Sequence, residues 1–291
     1  MKAPRFDYAR VRTVDEAVAL LVRHSDGARI LAGGQTLLAT LNLRLSEPAL
    51  LVDITGIPEL QGIERRGHRL WIGALATHAD IESSPLVAEC APLLAAAAPH
   101  IAHRAIRNAG TWGGSLAYAD PAAEWPACLL ALDGEVHLQG PRGRRTVPAR
   151  SFFRAILTTA MEPDEVLLGT EVPVATAADW YGFDELARRR GDYAAAGVAV
   201  AARFDGTVAR QVNLGLLALG TTAVRAPRTE ALLAGKELTP ATIEIALASL
   251  KAELDPLPDL HHEAATKRHL AVVLVRRLLT AAHASRAALA A

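Results

Sequence analysis

The stretch IAHRAIRNAGTWGGSLA at residues 101–117 decides the fold of this chain, together with the shorter stretch ILAGGQTLL at residues 30–38. Each contains a glycine pair, Gly33-Gly34 or Gly113-Gly114, that follows apolar residues and precedes polar ones. Without a Cβ atom, consecutive backbone N–H groups can point the same way and form a nest that attracts phosphate. Two such nests predict a site for both phosphates of one dinucleotide, although spacing alone favours an ordinary turn about equally.

Two better-known phosphate-binding motifs do not occur in the sequence. Neither G-x-G-x-x-G nor G-x-x-x-x-G-K-[ST] is present. The Rossmann and P-loop interpretations of the glycine turns are therefore excluded.

Hydrophobic periodicity divides the rest of the chain into helices and strands. Apolar residues three and four apart predict helices at 14–24, 85–98, 100–107, 229–233, 241–254 and 266–288. Apolar runs beside glycine or proline predict strands at 29–32, 50–54, 70–75, 135–139, 144–147 and 166–172. We also expect a polar hairpin tip at 65–68 and a helix break at Pro99.

A polar and alanine-rich step at 175–179 predicts a domain boundary. We expect a first domain at 1–175, with lobes at about 1–57 and 58–175, and a second at 176–291. In the second domain, Asp205-Gly206 joins the apolar runs 194–204 and 208–219, a strong hairpin signal because both turn positions tolerate positive φ. With the helices that follow, this predicts a small antiparallel sheet covered on one face by helices.

Composition excludes several classes of function. The 291 residues are 51% hydrophobic, which excludes a disordered chain, and their formal net charge is zero, which argues against nucleic acid or an anionic membrane as partner. The two cysteines, Cys90 and Cys128, are too few to ligate an iron-sulfur cluster and fit a reducing compartment. No apolar stretch is long enough to span a bilayer and the start lacks a signal-type segment, so we expect a cytoplasmic protein without membrane insertion.

The two glycine stretches resemble the flavin motifs of the FAD subunits of molybdenum hydroxylases, the family of carbon monoxide dehydrogenase and xanthine dehydrogenase. Residues 30–38 resemble the first motif and 101–117 the second, which ADPAAE at 119–124 continues. RRRGDYA at 188–194, RHLA at 268–271 and Arg276-Arg277 are also similar. The resemblance therefore covers essentially the whole chain.

This resemblance implies an α+β fold, with a two-lobed FAD-binding domain of the vanillyl-alcohol-oxidase type followed by the sheet-plus-helix domain. It implies an FAD subunit, without catalytic or metal-ligating residues of its own, that takes electrons from an iron-sulfur subunit and passes them to an external acceptor. The 2Fe-2S clusters and the molybdenum cofactor would lie on partner subunits, in a dimer of heterotrimers. A self-contained FAD oxidoreductase and a flavin-free scaffold of the same fold are the alternatives.

The resemblance also implies which residues bind the cofactor. The backbone of 32–36 and 111–115 would cradle the pyrophosphate with added hydroxyl groups, Glu124 would reach ribityl or ribose hydroxyls, and Tyr193 would lie near the flavin ring. The full implied set is Arg29, Ala32, Gly33, Gly34, Gln35, Thr36, Ile101, Ala102, Thr111, Gly113, Gly114, Ser115, Glu124, Leu167 and Tyr193.

Four positions depart from the pattern of the family. Many relatives have Ser at Thr36, Ile or Val at Trp112, and Asp at Glu124, which leaves the side-chain contacts of these residues open. Some xanthine-dehydrogenase-like members place a Lys where Asp184 aligns, so use of NAD is open as well.

Other polar residues have simpler interpretations. His100 and His103 could share a helix face and bind a metal, but no third ligand lies at suitable spacing. The adjacent His261-His262 pair is weaker still. Asp120 and Glu124 are more simply hydroxyl acceptors than an acid–base pair, and the arginines at 188–190 form a solvated face or a docking site for an acidic partner.

Overall fold

The computed structural model describes residues 2–290, and three main sheets organise them. The first is parallel, with strand order β1-β3-β2. Its elements are β1 (Asp7–Arg10), α1 (Val14–His24), β2 (Ala28–Leu31), α2 (Leu37–Asn42) and β3 (Leu50–Asp53). Helix α1 begins where the sequence predicts, because the side chain of Thr13 accepts a hydrogen bond from the backbone N–H of Glu16 at 3.2 Å. Strand β1 was not predicted, since its residues are polar and mostly exposed.

The second sheet is antiparallel, with strand order β4-β5-β10-β6-β7. Its strands are β4 (Ile63–Arg66), β5 (Arg69–Gly73), β6 (Glu135–Gly140), β7 (Gly143–Pro148) and β10 (Val166–Pro173), and the small pair β8 (Phe153–Ala155) and β9 (Thr158–Thr159) lies beside it. The predicted hairpin at 135–147 is confirmed. The predicted tip at 65–68 is too long, because Arg65 and Arg66 belong to β4 and only Gly67 (φ +61°) and His68 form the turn.

Short helices connect β5 to β6. They are α3 (His78–Ser83), α4 (Pro85–Cys90), α5 (Pro92–Ala97), α6 (Arg104–Arg107), α7 (Trp112–Tyr118) and α8 (Glu124–Ala131), with α9 (Ala149–Phe152) after β7. The prediction of one helix over 85–98 was wrong. Proline has no N–H for an intrahelical hydrogen bond, so Pro92 starts a new helix and Ala91 adopts a non-helical conformation (φ −143°, ψ 64°).

The third sheet is antiparallel with strand order β11-β12-β13-β14. Its strands are β11 (Asp179–Ala187), β12 (Ala194–Asp205), β13 (Val208–Leu217) and β14 (Lys236–Glu237), and the helices are α10 (Pro227–Leu233), α11 (Pro240–Glu253) and α12 (Ala264–Ala290). These helices cover one face of the sheet, as predicted. Strand β11 was not predicted.

The opposite face of the third sheet packs on α5 and α8. Alternate residues of β12 therefore enter two different cores, with Val198 and Val200 under the C-terminal helices and Ala199 in the core around α8. A Cβ atom on Gly215 of β13 would overlap the carbonyl oxygen of Ala127 in α8, which shows how closely the strand and the helix approach. The limits of 1–175 and 176–291 for two domains stay a prediction, but the two parts share this buried face.

Among residues 2–290, no helix combines the length and the apolar character needed to cross a membrane.

Candidate functional site

A cavity of about 560 Å³ lies where the two glycine turns meet, within the size range of roughly 300–1,000 Å³ usual for cofactor sites. The structure brings every residue of the predicted set to its wall, namely Arg29, Ala32, Gly33, Gly34, Gln35, Thr36, Ile101, Ala102, Thr111, Gly113, Gly114, Ser115, Glu124, Leu167 and Tyr193. The sequence did not indicate several further wall residues, among them Ile54, Ala74, His78, Tyr118, Met161 and Asp192.

The first glycine turn, at residues 33–36 between β2 and α2, presents free donors to this cavity. Gly34 takes a positive φ of +70°, and the side chain of Gln35 closes the turn by donating to the carbonyl oxygen of Gly33 at 3.0 Å. Within residues 2–290, the backbone N–H groups of the four turn residues donate to no protein acceptor. A cluster of unpaired N–H groups in a cavity wall forms a nest that suits an anionic or strongly polar ligand.

The second glycine turn is built differently. The N–H groups of Trp112 and Gly113 donate to the carbonyl oxygens of Ala76 and Ala74 at 2.8 Å, and those of Gly114 and Ser115 donate to the side chain and carbonyl of Thr111 at 3.1 Å. These donors are already satisfied within the protein. Among the N–H groups of 111–115, only that of Thr111 has no acceptor within residues 2–290, so this turn offers the cavity fewer backbone donors than the first and adds hydroxyl groups and a bare glycine surface.

The two turns are in direct backbone contact. A Cβ atom on Gly33 would overlap the carbonyl oxygen of Ala109 and lie 3.0 Å from the Cα of Gly110. A Cβ atom on Gly113 would lie 2.6 Å from the Cβ of Ala74 in the segment after β5. Glycine is required at both positions because the first turn, the second turn and the second sheet pack backbone against backbone.

Glu124, the first residue of α8, is a carboxyl group that stays protonated at neutral pH. Burial, together with the nearby carboxylates of Glu185 and Asp120, raises its pKa to about 8. A protonated carboxyl can donate as well as accept a hydrogen bond, so it suits a hydroxyl-bearing ligand. The carboxylate of Asp120 accepts from the backbone N–H of Ala122 at 2.9 Å, which fixes the turn before α8.

His78, the first residue of α3, is a wall residue that the sequence did not single out. Only 6% of its surface is exposed, and its Nδ1 accepts a hydrogen bond of 2.9 Å from Nε1 of the buried Trp125. Burial and the positive charge of Arg107 lower its pKa to about 4, so the ring is neutral. His78 and Trp125 are 47 residues apart in the chain, so no local sequence pattern predicts their contact.

Arg107 fixes the wall formed by Ile101 and Ala102. Its guanidinium donates to the carbonyl oxygens of these two residues at 2.9 and 3.1 Å and pairs with Glu82 at 2.9 Å, while only 8% of the residue is exposed. Ala102 is held at a φ of +42°, an uncommon value for a residue with a side chain. Tyr193 forms the outer rim, since it lines the cavity although it is 72% exposed.

The histidines weighed as metal ligands have other partners. His100 ends a short 3-10 turn and places Nδ1 3.5 Å from Glu185, whereas His103 packs against Gly191 ahead of α6, so the two do not share a helix face. His261 contacts Arg188 at 3.4 Å and His262 contacts Asp259 at 3.4 Å.

One cluster of possible ligands was missed, at Glu135, His137 and Glu171 on the second sheet. Arg69 pairs with Glu135 at 3.4 Å and Arg66 with Glu171 at 3.7 Å. Both carboxylates are thus already neutralised by guanidinium groups, which disfavours a bound cation. The arginines at 188–190 follow β11 and lie exposed beside Gly191, Asp192 and Tyr193 at the rim of the cavity.

The wall residues fit FAD, the cofactor that the resemblance implies. Four free N–H donors suit a pyrophosphate without requiring an added cation, and the guanidinium of Arg29 is already occupied by the carbonyl oxygens of Asp26 and Ala28. Apolar side chains such as Ile54, Ile101 and Leu167 suit an aromatic ring system.

Comparison with known families covers nearly the whole chain. Residues 4–175 match the family described as the FAD binding domain in molybdopterin dehydrogenase. Residues 181–282 match the carbon monoxide dehydrogenase flavoprotein C-terminal domain. Both matches agree with the α+β architecture and with an FAD-binding domain in this chain.

Individual proteins are similar over their full length. The carbon monoxide dehydrogenase medium chain of Hydrogenophaga pseudoflava is 39% identical over 284 residues, which span 98% of this chain and 99% of the relative. The nicotine 6-hydroxylase medium subunit of Paenarthrobacter nicotinovorans is 38% identical with the same coverage. Among solved structures, carbon monoxide dehydrogenase from H. pseudoflava superposes with a TM-score of 0.95 at 40% identity, again covering 98% of this chain and 99% of that one. Quinoline 2-oxidoreductase from Pseudomonas putida 86 superposes with a TM-score of 0.92 at 35% identity and the same coverage.

Proposed function

The chain belongs to the FAD-binding medium subunits of the molybdenum hydroxylase family, and we propose that it is the electron-transfer flavoprotein of such a complex. It would take electrons from an iron-sulfur subunit and pass them to an external acceptor. The observation that carries the proposal is the first glycine turn, whose four free N–H groups face a cavity shared with all the other predicted cofactor contacts. A flavin-free scaffold would not require a cluster of unpaired N–H donors in the wall of a cavity.

The partners follow from what this chain lacks. Cys90 and Cys128 are both buried among apolar side chains of the core, and two thiols do not complete a cluster that needs four ligands. We therefore assign the 2Fe-2S clusters and the molybdenum cofactor to separate subunits, in a dimer of heterotrimers located in the cytoplasm. The relatives named as medium chains and subunits support a multi-subunit assembly.

FAD supplies the redox chemistry when bound, and the protein supplies position and electrostatics. The turn at residues 33–36 holds the pyrophosphate through neutral N–H donors. The protonated carboxyl of Glu124 would engage hydroxyl groups of the cofactor, and the segment fixed by Arg107 would form one side of its site.

Uptake of FAD by the purified chain tests the first part of this proposal. We expect the apoprotein to quench flavin fluorescence on titration and to retain the yellow chromophore through gel filtration. A chain that stays colourless after incubation with excess FAD would contradict the proposal and favour the scaffold alternative.

Electron transfer needs a second experiment. The reading frames next to this gene should encode a protein with cluster-type cysteines and a large molybdopterin-binding protein. When these three proteins are combined, we expect the flavin to be reduced by substrate only in the presence of the iron-sulfur protein. Reduction of the flavin by a small donor in the isolated chain would instead identify a self-contained oxidoreductase.

A further inference from the structure

His78 combines three features that make it a candidate ligand-binding residue. Its ring is almost fully buried, its Nδ1 is engaged by Trp125, and its other face lines the cavity. In the part of the chain that the structure describes, Nε2 of this ring forms no hydrogen bond and keeps some exposed surface. The ring that lines the cavity therefore has a polar atom without a partner in the protein.

The hydrogen bond with Trp125 fixes which nitrogen carries the proton. The indole N–H of tryptophan is only a donor, so Nδ1 of the neutral imidazole must be the acceptor and Nε2 must carry the hydrogen. Trp125 cannot move to engage another acceptor, since it is fully buried and packs on Trp112 with ring centroids 5.1 Å apart. His78 is thus a donor held in one orientation and one tautomer.

Backbone contacts place this donor where the two glycine turns meet. The N–H of His78 donates to the carbonyl oxygen of Gly110 at 2.9 Å, and Thr77 forms an isolated bridge with Thr111. A Cβ atom on Gly110 would lie 2.7 Å from Nε2, and one on Gly33 would lie 3.0 Å from the Cα of Gly110. Nε2 therefore lies next to Gly110, which directly precedes the second turn and is in contact with Gly33 of the first. Because Gly110 has no Cβ atom, its backbone leaves room beside Nε2.

We propose that His78 binds the cofactor, by donating a hydrogen bond from Nε2 to a phosphate oxygen of FAD between the two glycine turns, and that Trp125 positions the ring for this contact. The inference rests on the proposed binding of FAD and extends it to a residue outside both glycine motifs. It also adds a side-chain donor beside the second turn, where four of the five N–H groups are satisfied within the protein. The imidazole N–H adds a donor of fixed orientation to the hydroxyl groups that this side of the cavity offers.

Titration of apoprotein with FAD tests the proposal through binding rather than turnover. His78→Leu should raise the dissociation constant for FAD about 10- to 100-fold, the range expected when a charged acceptor loses one donor. His78→Gln retains an amide donor at a similar reach and should recover part of that loss. Riboflavin, which has no phosphate, should bind the wild-type protein and His78→Leu equally well.

Thr170→Val provides a matched control. Thr170 is the acceptor for the other buried indole, with Nε1 of Trp112 at 2.9 Å from its hydroxyl oxygen, and it does not line the cavity. Its loss should lower the melting temperature without changing affinity for FAD. A drop in affinity for Thr170→Val equal to that of His78→Leu would overturn the proposal, because general destabilisation would then explain both.

An NMR spectrum of the histidine side chains tests the contact in the wild-type protein. In protein labelled with ¹⁵N-histidine, the Nε2–H proton of His78 should shift downfield and exchange more slowly when FAD or inorganic pyrophosphate is added. If wild-type protein binds FAD while this signal stays unchanged and His78→Leu keeps full affinity, the inference is wrong and the proposed function stands. If the wild-type protein does not bind FAD, the proposed function fails and the inference falls with it.

Discussion

At the scale of single residues, the glycines of the two turns serve different purposes. Gly34 supplies a positive φ, and the turn it belongs to leaves its N–H groups free. Gly113 has an ordinary helical position, and it is needed because the backbone of Ala74 lies against it. The first glycine turn therefore supplies hydrogen-bond donors, whereas the second allows two backbone segments to pack closely.

Gly113→Ala should consequently destabilise the fold itself. A Cβ atom would lie 2.6 Å from Ala74, and such overpacking typically costs about 1–3 kcal/mol. Urea unfolding measures this loss. Gly67→Ala at the hairpin tip is the comparison, since nothing lies within 4 Å there and only the positive φ is strained, at a cost of about 1–2 kcal/mol. A Gly113→Ala protein with wild-type stability would contradict this account of the second turn.

Glu124 makes the stability of the FAD-free protein depend on pH. Its pKa rises from 4.5 to about 8 on folding, so between these values the folded state holds a proton that the unfolded state has released, and stability falls as pH rises. His78 acts oppositely between about 4 and 6.5, where the unfolded state holds the extra proton. The decline due to Glu124 should thus be visible between pH 6.5 and 8, with a slope of at most about 1.4 kcal/mol per pH unit.

Glu124→Gln should flatten this decline, because the amide does not titrate. Urea unfolding of apoprotein at several pH values checks the slope, and Glu263→Gln at an exposed site serves as control. A slope that survives in Glu124→Gln would show that another group titrates in this range.

At the scale of elements, the segment before α6 depends on one buried arginine. The guanidinium of Arg107 reaches two carbonyl oxygens and the carboxylate of Glu82, and it keeps Ala102 at positive φ. The wall of the cavity at Ile101 and Ala102 is therefore set by a side chain five residues further along the chain.

Arg107→Met should remove this support and leave Glu82 without its partner. Breaking a largely buried ion pair costs about 3–5 kcal/mol, so we expect a lower melting temperature and faster release of FAD. The double variant Arg107→Met with Glu82→Gln should recover stability, because Glu82 no longer carries an unpaired charge. It should not restore slow release of FAD. Stopped-flow displacement measures the release rate, and a double variant that restores it would show that only the charge matters.

At the scale of the whole molecule, the N-terminal and C-terminal parts are joined by a polar network beside their shared apolar face. Arg225 donates to the carbonyl oxygen of Leu130 at 2.9 Å and to Asp133 at 3.1 Å, both near the end of α8, and also pairs with Glu230 of α10. Asn213 of β13 donates to the carbonyl oxygen of Ala131 at 2.8 Å.

Arg225→Met should destabilise both parts together. The substitution leaves the buried carboxylate of Glu230 without its partner, at a cost of about 3–5 kcal/mol. It also removes the hydrogen bonds from Arg225 to the end of α8. Arg210→Met is the control, because the Arg210–Asp205 pair is exposed on both sides and contributes about 1 kcal/mol or less. Differential scanning calorimetry should show a single transition shifted downwards for Arg225→Met. The appearance of a separate, low-temperature transition for the C-terminal part alone would contradict the coupling.

The sequence by itself determined the class of fold, the hairpin at 135–147 and, through the family resemblance, part of the cavity wall. Helix periodicity, caps and glycine turns are local properties, so α1 and the hairpin between β6 and β7 could be predicted from neighbouring residues. Only the tertiary structure decided which donors are free. The N–H groups of Trp112 and Gly113 are satisfied by Ala76 and Ala74, and His78 is held by Trp125, in contacts between residues 36 to 47 positions apart in the chain. Hydrogen bonds across such separations depend on how the elements pack, and no local pattern encodes them.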